Sequence, residues 1–208
     1  MGRYTEAKCR LCRADGEKLF LKGKKCYTAK CMLERRKTTP GDHGKMRRKF
    51  SEYKVQLREK QKLRRIYGIF EKQFRNYFAK ASLKKGITGD NLISLLEKRL
   101  DNVVFRSGFT TSRAAAREFV NHGHIKVNGR KVDIVSFQVK NGDVVTLKDS
   151  DKSRAFVKDN LEYTSSREIP SWLAVDPTKQ SINIVREMEK EDLQVSVNVQ
   201  LVVELYSK

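Results

Sequence analysis

Apolar residues along the chain follow two different periods, and the first of these predicts helices. From Ser51 onward they recur mainly at steps of three and four, the spacing that lines one face of a helix. The residues that carry this pattern are Tyr53, Leu57, Leu63, Ile66, Tyr67, Phe70, Phe74, Tyr77 and Phe78. Gly68 interrupts the stretch and is expected to divide it into two helices.

Two further helices are predicted between residues 90 and 123. Asp90 is expected to cap the first. Its buried stripe is Leu92, Leu95, Leu96, Leu100, Val103 and Val104. Thr111 or Ser112 is expected to cap the second, which is filled by Ala114, Ala115, Ala116 and Phe119. Gly123 supplies the left-handed residue that often ends a helix.

Beyond Gly123 the period changes to two, which predicts strands. Asn128-Gly129 lies between two such runs, and this dipeptide is a strong signal for a hairpin. A second turn at 141–143 separates Phe137 and Val139 from a run that begins at Val144. Helices followed by a small antiparallel sheet define an α+β fold. The C-terminal run 195–205 alternates as a strand would, but 198–205 also suits a helix.

Charge is distributed unevenly. Lys and Arg number 45 against 25 Asp and Glu, which gives a formal net charge of +20. Residues 1–80 carry +17 of this charge, residues 98–131 carry +6, and residues 132–208 carry −3. An excess of this size repels itself unless a polyanion neutralises it, so nucleic acid is the first candidate partner. The two basic regions predict two RNA-facing regions.

The sequence contains no apolar run long enough to span a bilayer, and it opens without the apolar stretch of a secretory signal. We therefore expect a cytoplasmic protein that has no contact with a membrane. In that reducing compartment clustered thiols favour metal binding over a disulfide.

The four cysteines, Cys9, Cys12, Cys26 and Cys31, all lie in residues 1–45, which otherwise have little periodicity. The gaps between them hold two, thirteen and four residues, close to the spacing of a zinc knuckle. The sequence predicts a structural metal site that organises an irregular arm. Zinc is the expected ion, and a four-iron four-sulfur cluster is the alternative, since it also takes four thiolates. Scattered buried thiols would not explain why all four lie so close together in sequence.

A dense basic run follows the arm. It comprises Arg47, Arg48, Lys49, Arg58, Lys62, Arg64 and Arg65, which are predicted to contact RNA. The excess of cations over acidic residues is too large for ordinary salt bridging. The interleaved aromatic residues have helical spacing, so we assign them to the core rather than to base stacking.

Catalytic patterns are not found. His43, His122 and His124 do not accompany acid or nucleophile candidates in any catalytic order, and no phosphate-cradling glycine loop occurs. The sequence therefore predicts that the protein is not an enzyme.

Several longer stretches resemble the family of bacterial small-subunit ribosomal protein number four, in its cysteine-containing, metal-binding variant. The resemblance is carried by the cysteine set, by Ser51-Glu52-Tyr53, by QLREKQKLRRIYG at 56–68, by LEKRLDNVVFRSGFTTSRAAAREFVNHGHIKVNGRKV at 96–132 and by the terminal VELYSK. The chain departs from the family at Asp42, where Gln is usual, and at Val135, where Pro is common.

The resemblance implies a metal-bound arm at 1–45 and a helical rRNA-binding domain at 46–97, completed by about 185–208 as a helix. A small RNA-binding module of helices and antiparallel sheet is inserted at 98–160, and 161–184 connects it onward. Within the module the implied RNA contacts are Arg99, Arg106, Ser112, Arg113, Arg117, Lys126, Asn128, Arg130 and Lys131.

Functionally, the resemblance implies a structural protein of the small ribosomal subunit that binds the 5′ domain of its rRNA, nucleates assembly of the subunit body and contributes to translational accuracy. Implied partners are rRNA, ribosomal proteins five and three, and mRNA near the channel by which it enters.

The spacing within 113–119 makes a more detailed prediction. Arg113 and Arg117 are four residues apart and share a helix face, whereas Phe119 must point elsewhere. We expect the two arginines to contact phosphate and to be replaceable without loss of stability, and Phe119 to pack in the core.

Two other functions fit parts of the sequence. A pseudouridine synthase or tyrosyl-tRNA synthetase with the same module would need a separate catalytic domain, for which no candidate residues remain. A zinc-dependent DNA-binding regulator would need a recognition helix after the cysteines, at the spacing found in zinc fingers. The sequence predicts no such helix there.

Overall fold

The structure of the chain is a computed structural model that describes residue 2 and residues 4–44, 50–192 and 195–207. It divides into two compact units. The first comprises Met1–Leu92 and Val195–Lys208, and the second comprises Ile93–Gln194. Within the described residues no helix is both long and apolar enough to cross a bilayer.

The described residues form nine α-helices and one sheet. The helices are α1 (Lys8–Asp15), α2 (Met32–Arg35), α3 (Glu52–Tyr67), α4 (Glu71–Ser82), α5 (Thr88–Glu97), α6 (Leu100–Arg106), α7 (Arg113–Asn121), α8 (Asp151–Thr164) and α9 (Val199–Tyr206). The strands are β1 (Ile125–Val127), β2 (Arg130–Lys131), β3 (Val144–Leu147), β4 (Leu173–Asp176) and β5 (Ser181–Ile184). Short 3₁₀ turns occur at Gly23–Tyr27 and Lys190–Asp192.

The two predicted helices around Gly68 are confirmed as α3 and α4. Ser51 Oγ accepts a hydrogen bond from the backbone N–H of Lys54 at 3.4 Å and so caps α3. Gly68 has φ +63°, the left-handed conformation in which glycine has no Cβ penalty, and it ends the helix. Leu63 and Phe74 are fully buried, as their spacing predicts. Tyr53 and Phe70 are instead 58% and 45% exposed, which corrects their assignment to the core.

The C-terminal run forms a helix, α9, and not a strand. Asn198 Oδ1 accepts hydrogen bonds from the backbone N–H groups of Gln200 and Leu201 and caps it. The helix packs on α3, where Gln56 Nε2 donates to Glu204 Oε2 at 3.1 Å. Packing on α3 therefore decides between the two conformations that the sequence allowed.

Two features of the first half differ from expectation. The arm predicted to be irregular contains α1 and α2, and Asp90 lies in the first turn of α5 instead of capping it. The predicted stripe from Leu92 to Val104 is buried but is shared between two helices, because the chain breaks at Lys98-Arg99.

The break between α5 and α6 has a hydrogen-bonding cause. The Val139 N–H donates to Lys98 O, and the Leu100 N–H donates to Phe137 O, each at 2.9 Å. The segment that contains Phe137 and Val139 is thereby paired with the helix break, and it does not form the strand next to β3 that the sequence predicts.

The sheet is antiparallel and has the order β2-β1-β3-β5-β4. The predicted hairpin at Asn128-Gly129 is confirmed, with φ +50° and +79° at its two turn residues. These values match a type I′ turn, which suits the twist of a two-residue hairpin. The other half of the sheet, β4 and β5, lies in 161–184, the segment predicted only to connect domains.

The core of the second unit lies between α6–α8 and the sheet. It is formed by Leu100, Val103, Val104, Phe105, Phe109, Ala116, Phe119, Val120, Ile125, Val127, Val135, Val139, Val145, Leu147, Val157, Trp172, Leu173, Ile182 and Ile184. Ser112 caps α7 by accepting a hydrogen bond from the Ala115 N–H at 3.2 Å. Phe119 is 7% exposed, which confirms its predicted place in the core.

A buried ion cluster occupies the start of α6. Asp101 accepts hydrogen bonds from Arg99 Nε at 3.0 Å and Arg99 Nη2 at 2.9 Å, and another from Arg117 Nη2 at 3.1 Å. The side chains of Arg99 and Asp101 are only 1% and 3% exposed. Removing one member of such a cluster leaves an uncompensated charge in a poorly solvated place.

This cluster corrects the prediction that Arg113 and Arg117 are dispensable for stability. Arg117 neutralises Asp101, while Arg113 Nε donates to Asn102 Oδ1 at 2.8 Å and its guanidinium lies 4.4 Å from the centre of the Phe105 ring. Both side chains are therefore part of the packing between α6 and α7.

Replacing Asp101 by Asn should lower the free energy of unfolding by about 3–5 kcal/mol, because two guanidinium groups would lose their carboxylate. The double variant Arg113→Gln/Arg117→Gln should lose about 2 kcal/mol or more, since hydrogen bonds to charged groups are broken. Urea unfolding followed by circular dichroism measures both. Arg130→Gln, at an exposed hairpin position, is the control and should stay within about 0.5 kcal/mol of the parent. A double variant as stable as this control would contradict the assignment.

In the first unit, α9 is held by a second polar cluster. Tyr206 Oη donates to Glu71 Oε1 at 2.9 Å, and Lys60 Nζ donates to the same oxygen at 2.7 Å. Burial pushes the pKa of Glu71 upward, but hydrogen bonds from Lys60 and Tyr206 outweigh it, so the pKa lies below the usual value. Burial and then the Glu71 carboxylate raise the pKa of Tyr206.

The lowered pKa of Glu71 makes part of the stability dependent on pH. Its contribution is present above the ordinary pKa of 4.5 and is lost as pH falls through the lowered folded value. We expect Glu71→Gln to destabilise by about 1 kcal/mol or less at pH 7, because the carboxylate is 39% exposed and solvent screens it. Unfolding titrations from pH 7 to pH 3 should show the parent and variant converging. A difference that persisted at the acid end would argue against the ionic contribution.

Candidate RNA-binding surface

The basic residues predicted on α3 face inward toward the arm. Arg58 Nη2 donates to Ala14 O at 2.6 Å, Arg65 Nη1 contacts Asp15 Oδ1 at 2.5 Å, and Lys62 Nζ contacts Glu17 Oε2 at 2.6 Å. These contacts tie the end of α1 and the residues after it to α3. Lys62 is only 7% exposed on its side chain, so burial limits its access to a phosphate.

The remaining members of the basic run have mixed positions. Arg64 is half-buried and donates to Gln61 Oε1, with Glu71 at 3.8 Å. Arg47, Arg48 and Lys49 lie outside the described residues. RNA contact by any of these side chains stays a prediction.

Exposed cations of the first unit lie elsewhere. They are concentrated in the arm and on the outer face and C-terminal end of α4. The exposed Lys and Arg residues there are Arg10, Lys22, Lys24, Lys25, Lys30, Arg35, Arg36, Lys37, Lys72, Arg75, Lys80, Lys84 and Lys85. The α4 group was missed from sequence, although Lys72 and Arg75 are three apart on the polar side of an amphipathic helix and carry that signal.

In the second unit the predicted residues separate into an internal and an external group. Arg99 and Ser112 are buried, and Arg106 forms two hydrogen bonds with the carboxylate of Glu97, at 2.7 and 3.0 Å. Together with Arg113 and Arg117 they hold α5, α6 and α7 together. Their predicted contact with RNA stays untested, and their partners assign them a role in the fold.

The hairpin carries the external group. Arg130 and Lys131 are exposed at its tip and on its outer strand. Lys126 Nζ lies 3.0 Å from Asp149 Oδ2, and Asn128 is used by the turn, since its side chain bonds Asp143 and the Val144 N–H. Both cations are therefore exposed at β2, on opposite faces of the strand because consecutive residues alternate, and each can bind a phosphate.

The four cysteines lie in one neighbourhood. Cys9 and Cys12 are on α1, Cys26 is in the first 3₁₀ turn, and Cys31 precedes α2. Burial raises the pKa of the thiols of Cys12 and Cys26, and the neighbouring thiolates raise it further.

Backbone donors also point at this cluster, since the Lys22 N–H lies 3.3 Å from Cys26 Sγ. In the part of the chain that the structure describes, no three His, Cys, Asp or Glu side chains are grouped closely enough to hold a metal ion. Metal binding by the four cysteines stays a prediction.

Two consecutive stretches of the chain match known protein families. Residues 3–97 match the family described as ribosomal protein S4/S9 N-terminal domain, and residues 98–145 match the S4 domain. The small ribosomal subunit protein uS4 of Acetivibrio thermocellus is 53% identical over 208 residues, covering 100% of both chains. Those of Solidesulfovibrio magneticus and Thermodesulfovibrio yellowstonii are each 51% identical over 208 residues, again covering 100% of both chains.

The alignments cover the whole chain, and these relatives are named as ribosomal proteins. This confirms the prediction that the protein is a ribosomal protein and not an enzyme. The resemblance found in the sequence is confirmed at the level of the family, and the metal-binding variant is not addressed by it. The chain belongs to the uS4 family of small ribosomal subunit proteins.

Proposed function

We propose that this protein is a structural component of the cytoplasmic small ribosomal subunit that binds rRNA directly. The observation that carries the proposal is the match of the entire chain, at 51–53% identity, to proteins named small ribosomal subunit protein uS4. The net charge of +20 supports it, because a polyanion is the partner that neutralises such an excess.

The finer proposal follows the resemblance of the sequence. The protein binds the 5′ domain of the rRNA, nucleates assembly of the subunit body and contributes to accuracy of translation. Its neighbours in this proposal are ribosomal proteins five and three, and mRNA near the channel by which it enters.

The exposed cations are the side chains that we assign to phosphate. In the second unit these include Arg130 and Lys131, which are exposed on β2 of the hairpin. In the first unit they are the lysines and arginines of the arm and of α4. Buried Arg99 and Lys62 serve the fold in this proposal, since their guanidinium and ammonium groups already bind carboxylates.

Binding to the rRNA should weaken steeply as salt increases, because each phosphate contact releases counterions. The variant Arg130→Gln/Lys131→Gln should flatten the slope of log K against log salt by between one and two units, because each phosphate that is no longer neutralised reduces it by just under one unit. Filter binding to the 5′-domain transcript from 50 to 300 mM salt measures the slope.

Lys140→Gln/Lys179→Gln is the matched control, since both side chains are exposed in the same unit but lie outside β1, β2 and the turn between them. It should keep the parental slope. An equal slope for the parent and the hairpin variant would remove the hairpin from the interface. Equal affinity of the parent for rRNA and for a DNA duplex of the same length would overturn the rRNA proposal.

We further propose that Cys9, Cys12, Cys26 and Cys31 together hold one zinc ion, with a four-iron four-sulfur cluster as the alternative. The support is the spacing of the four thiols, their shared neighbourhood and the backbone N–H groups directed at them. Such an ion would supply structural cross-linking, and binding would require the thiols to approach one another more closely than they do here.

Removing the metal should disorder the arm locally, because structural zinc sites in peptides contribute about 10–16 kcal/mol of apparent folding energy at pH 7. Hydrogen exchange should then accelerate in residues 4–44 and stay unchanged in the sheet. Elemental analysis of native protein should give near-stoichiometric zinc or iron, and Cys12→Ser should lose it. Native protein with neither element would end this proposal without affecting the rRNA proposal.

A further inference from the structure

Three aromatic rings are stacked at the edge of the core of the second unit. The Phe119 ring from α7 lies in the middle, with its centre 4.8 Å from that of His124 and 5.3 Å from that of Phe156 on α8. Ser153 Oγ lies 3.0 Å from His124 Nδ1 and fixes the orientation of the imidazole. We call these three side chains the ring stack.

The ring stack borders a cavity of about 390 Å³ that opens to solvent. Its other lining residues are Ala115, Glu118, His122, Lys152 and Ser153. Ala115 is small and half-buried, so it leaves room between α7 and α8. Phe156 is 41% exposed, although Val157 beside it is fully buried in the core. The α8 helix therefore presents the large aromatic ring of Phe156 at the cavity, and this ring is not buried in the core.

Cationic side chains border the ring stack, and Glu118 is the acidic residue in the lining of the cavity. Lys152 lines the cavity one turn before Phe156, and Lys148 lies close enough to His124 to lower the pKa of its imidazole. The side chain of Lys131 passes over Gly123, between the two histidines in sequence. Burial is the larger cause of the lowered pKa of His124, with His122 and Lys148 next, so the ring is neutral at neutral pH.

We propose that this cavity binds one unpaired base of the bound RNA, stacked on the ring stack, with Lys152 and its neighbouring lysines on the adjoining phosphates. Flat apolar ring faces with cations at the rim match the chemistry of a nucleotide, whose base stacks and whose phosphate is anionic. A paired base is already stacked within its helix, so the occupant comes from a loop, bulge or single strand.

This inference rests on the proposed binding of RNA and deepens it. Stacking of one base on an aromatic side chain contributes enough that its loss weakens binding by between about fivefold and a hundredfold. A stacking contact carries no charge, so its loss should leave the salt dependence unchanged, whereas removal of a lysine from a phosphate should flatten it.

The test uses the full chain and a single-stranded octamer of adenosine that carries one 2-aminopurine, with the corresponding duplex as the control probe. Fluorescence of the analogue should fall when the single strand binds. The fluorescence of the duplex, which is already low because its bases are stacked, should not change when protein is added. Phe156→Leu keeps apolar volume but removes the ring, and Ala115→Leu fills the cavity while keeping the rings. Both should abolish quenching and weaken binding of the single strand.

Three further variants separate the contributions. Phe156→Tyr keeps a ring and should retain quenching. Lys152→Gln should retain quenching but flatten the salt slope. Ile134→Ala, at an exposed apolar position that does not line the cavity, should behave as the parent. Thermal melts of all variants should agree, which shows that the fold is intact.

Parental quenching and affinity in both Phe156→Leu and Ala115→Leu would overturn the inference, as would equal quenching with the duplex. If the parent binds the 5′-domain transcript but never quenches the probe, the cavity assignment fails while the proposed function stands. If the parent binds neither RNA, the proposed function fails first.

Discussion

The ion cluster around Asp101 is the constraint on which the second unit depends. A carboxylate with 3% of its side chain exposed requires compensation, and two guanidinium groups supply it from opposite directions in sequence. Arg99 comes from the break between α5 and α6, and Arg117 comes from α7. Because both must reach one carboxylate, the start of α6 and the face of α7 are fixed relative to each other.

The same cluster determines which surface is left for RNA. Four arginines already have partners within the packing of α5–α7. Arg99 and Arg117 bind Asp101, Arg106 binds Glu97, and Arg113 contacts Asn102 and Phe105. Among the exposed cations that remain in this unit, we assign those of the hairpin and Lys152 of α8 to phosphate. An arginine that neutralises a buried acid leaves less charge for a phosphate, so residues 98–131 offer RNA less positive charge than their net +6 implies.

In the first unit, basic residues that were predicted to contact RNA also form contacts within the fold. Arg58, Lys62 and Arg65 on α3 bind the end of α1 and the acidic residues that follow it. The arm is thus anchored at one side by ion pairs. Its own outward lysines remain exposed around the cysteines.

The sequence by itself determined the elements whose signals are local. Ser51 and Gly68 bound α3 because a cap and a left-handed residue act within one turn, and Asn128-Gly129 specifies its hairpin through backbone conformation alone. Family membership was also readable, because it rests on long runs of particular residues. Alternating Leu173, Val175, Ile182 and Ile184 carried a signal for β4 and β5 that was missed.

Tertiary structure decided what depends on distant partners. The run 198–205 became a helix because α3 offers it a face to pack on, and 135–139 left the sheet because Lys98 and Leu100 took its backbone hydrogen bonds. The spacing of the arginines also does not show which of them face solvent. Helical periodicity shows which residues share a face, but not whether another element packs on that face. Only the fold brings Arg117 to Asp101, sixteen residues away, and Phe156 to Phe119.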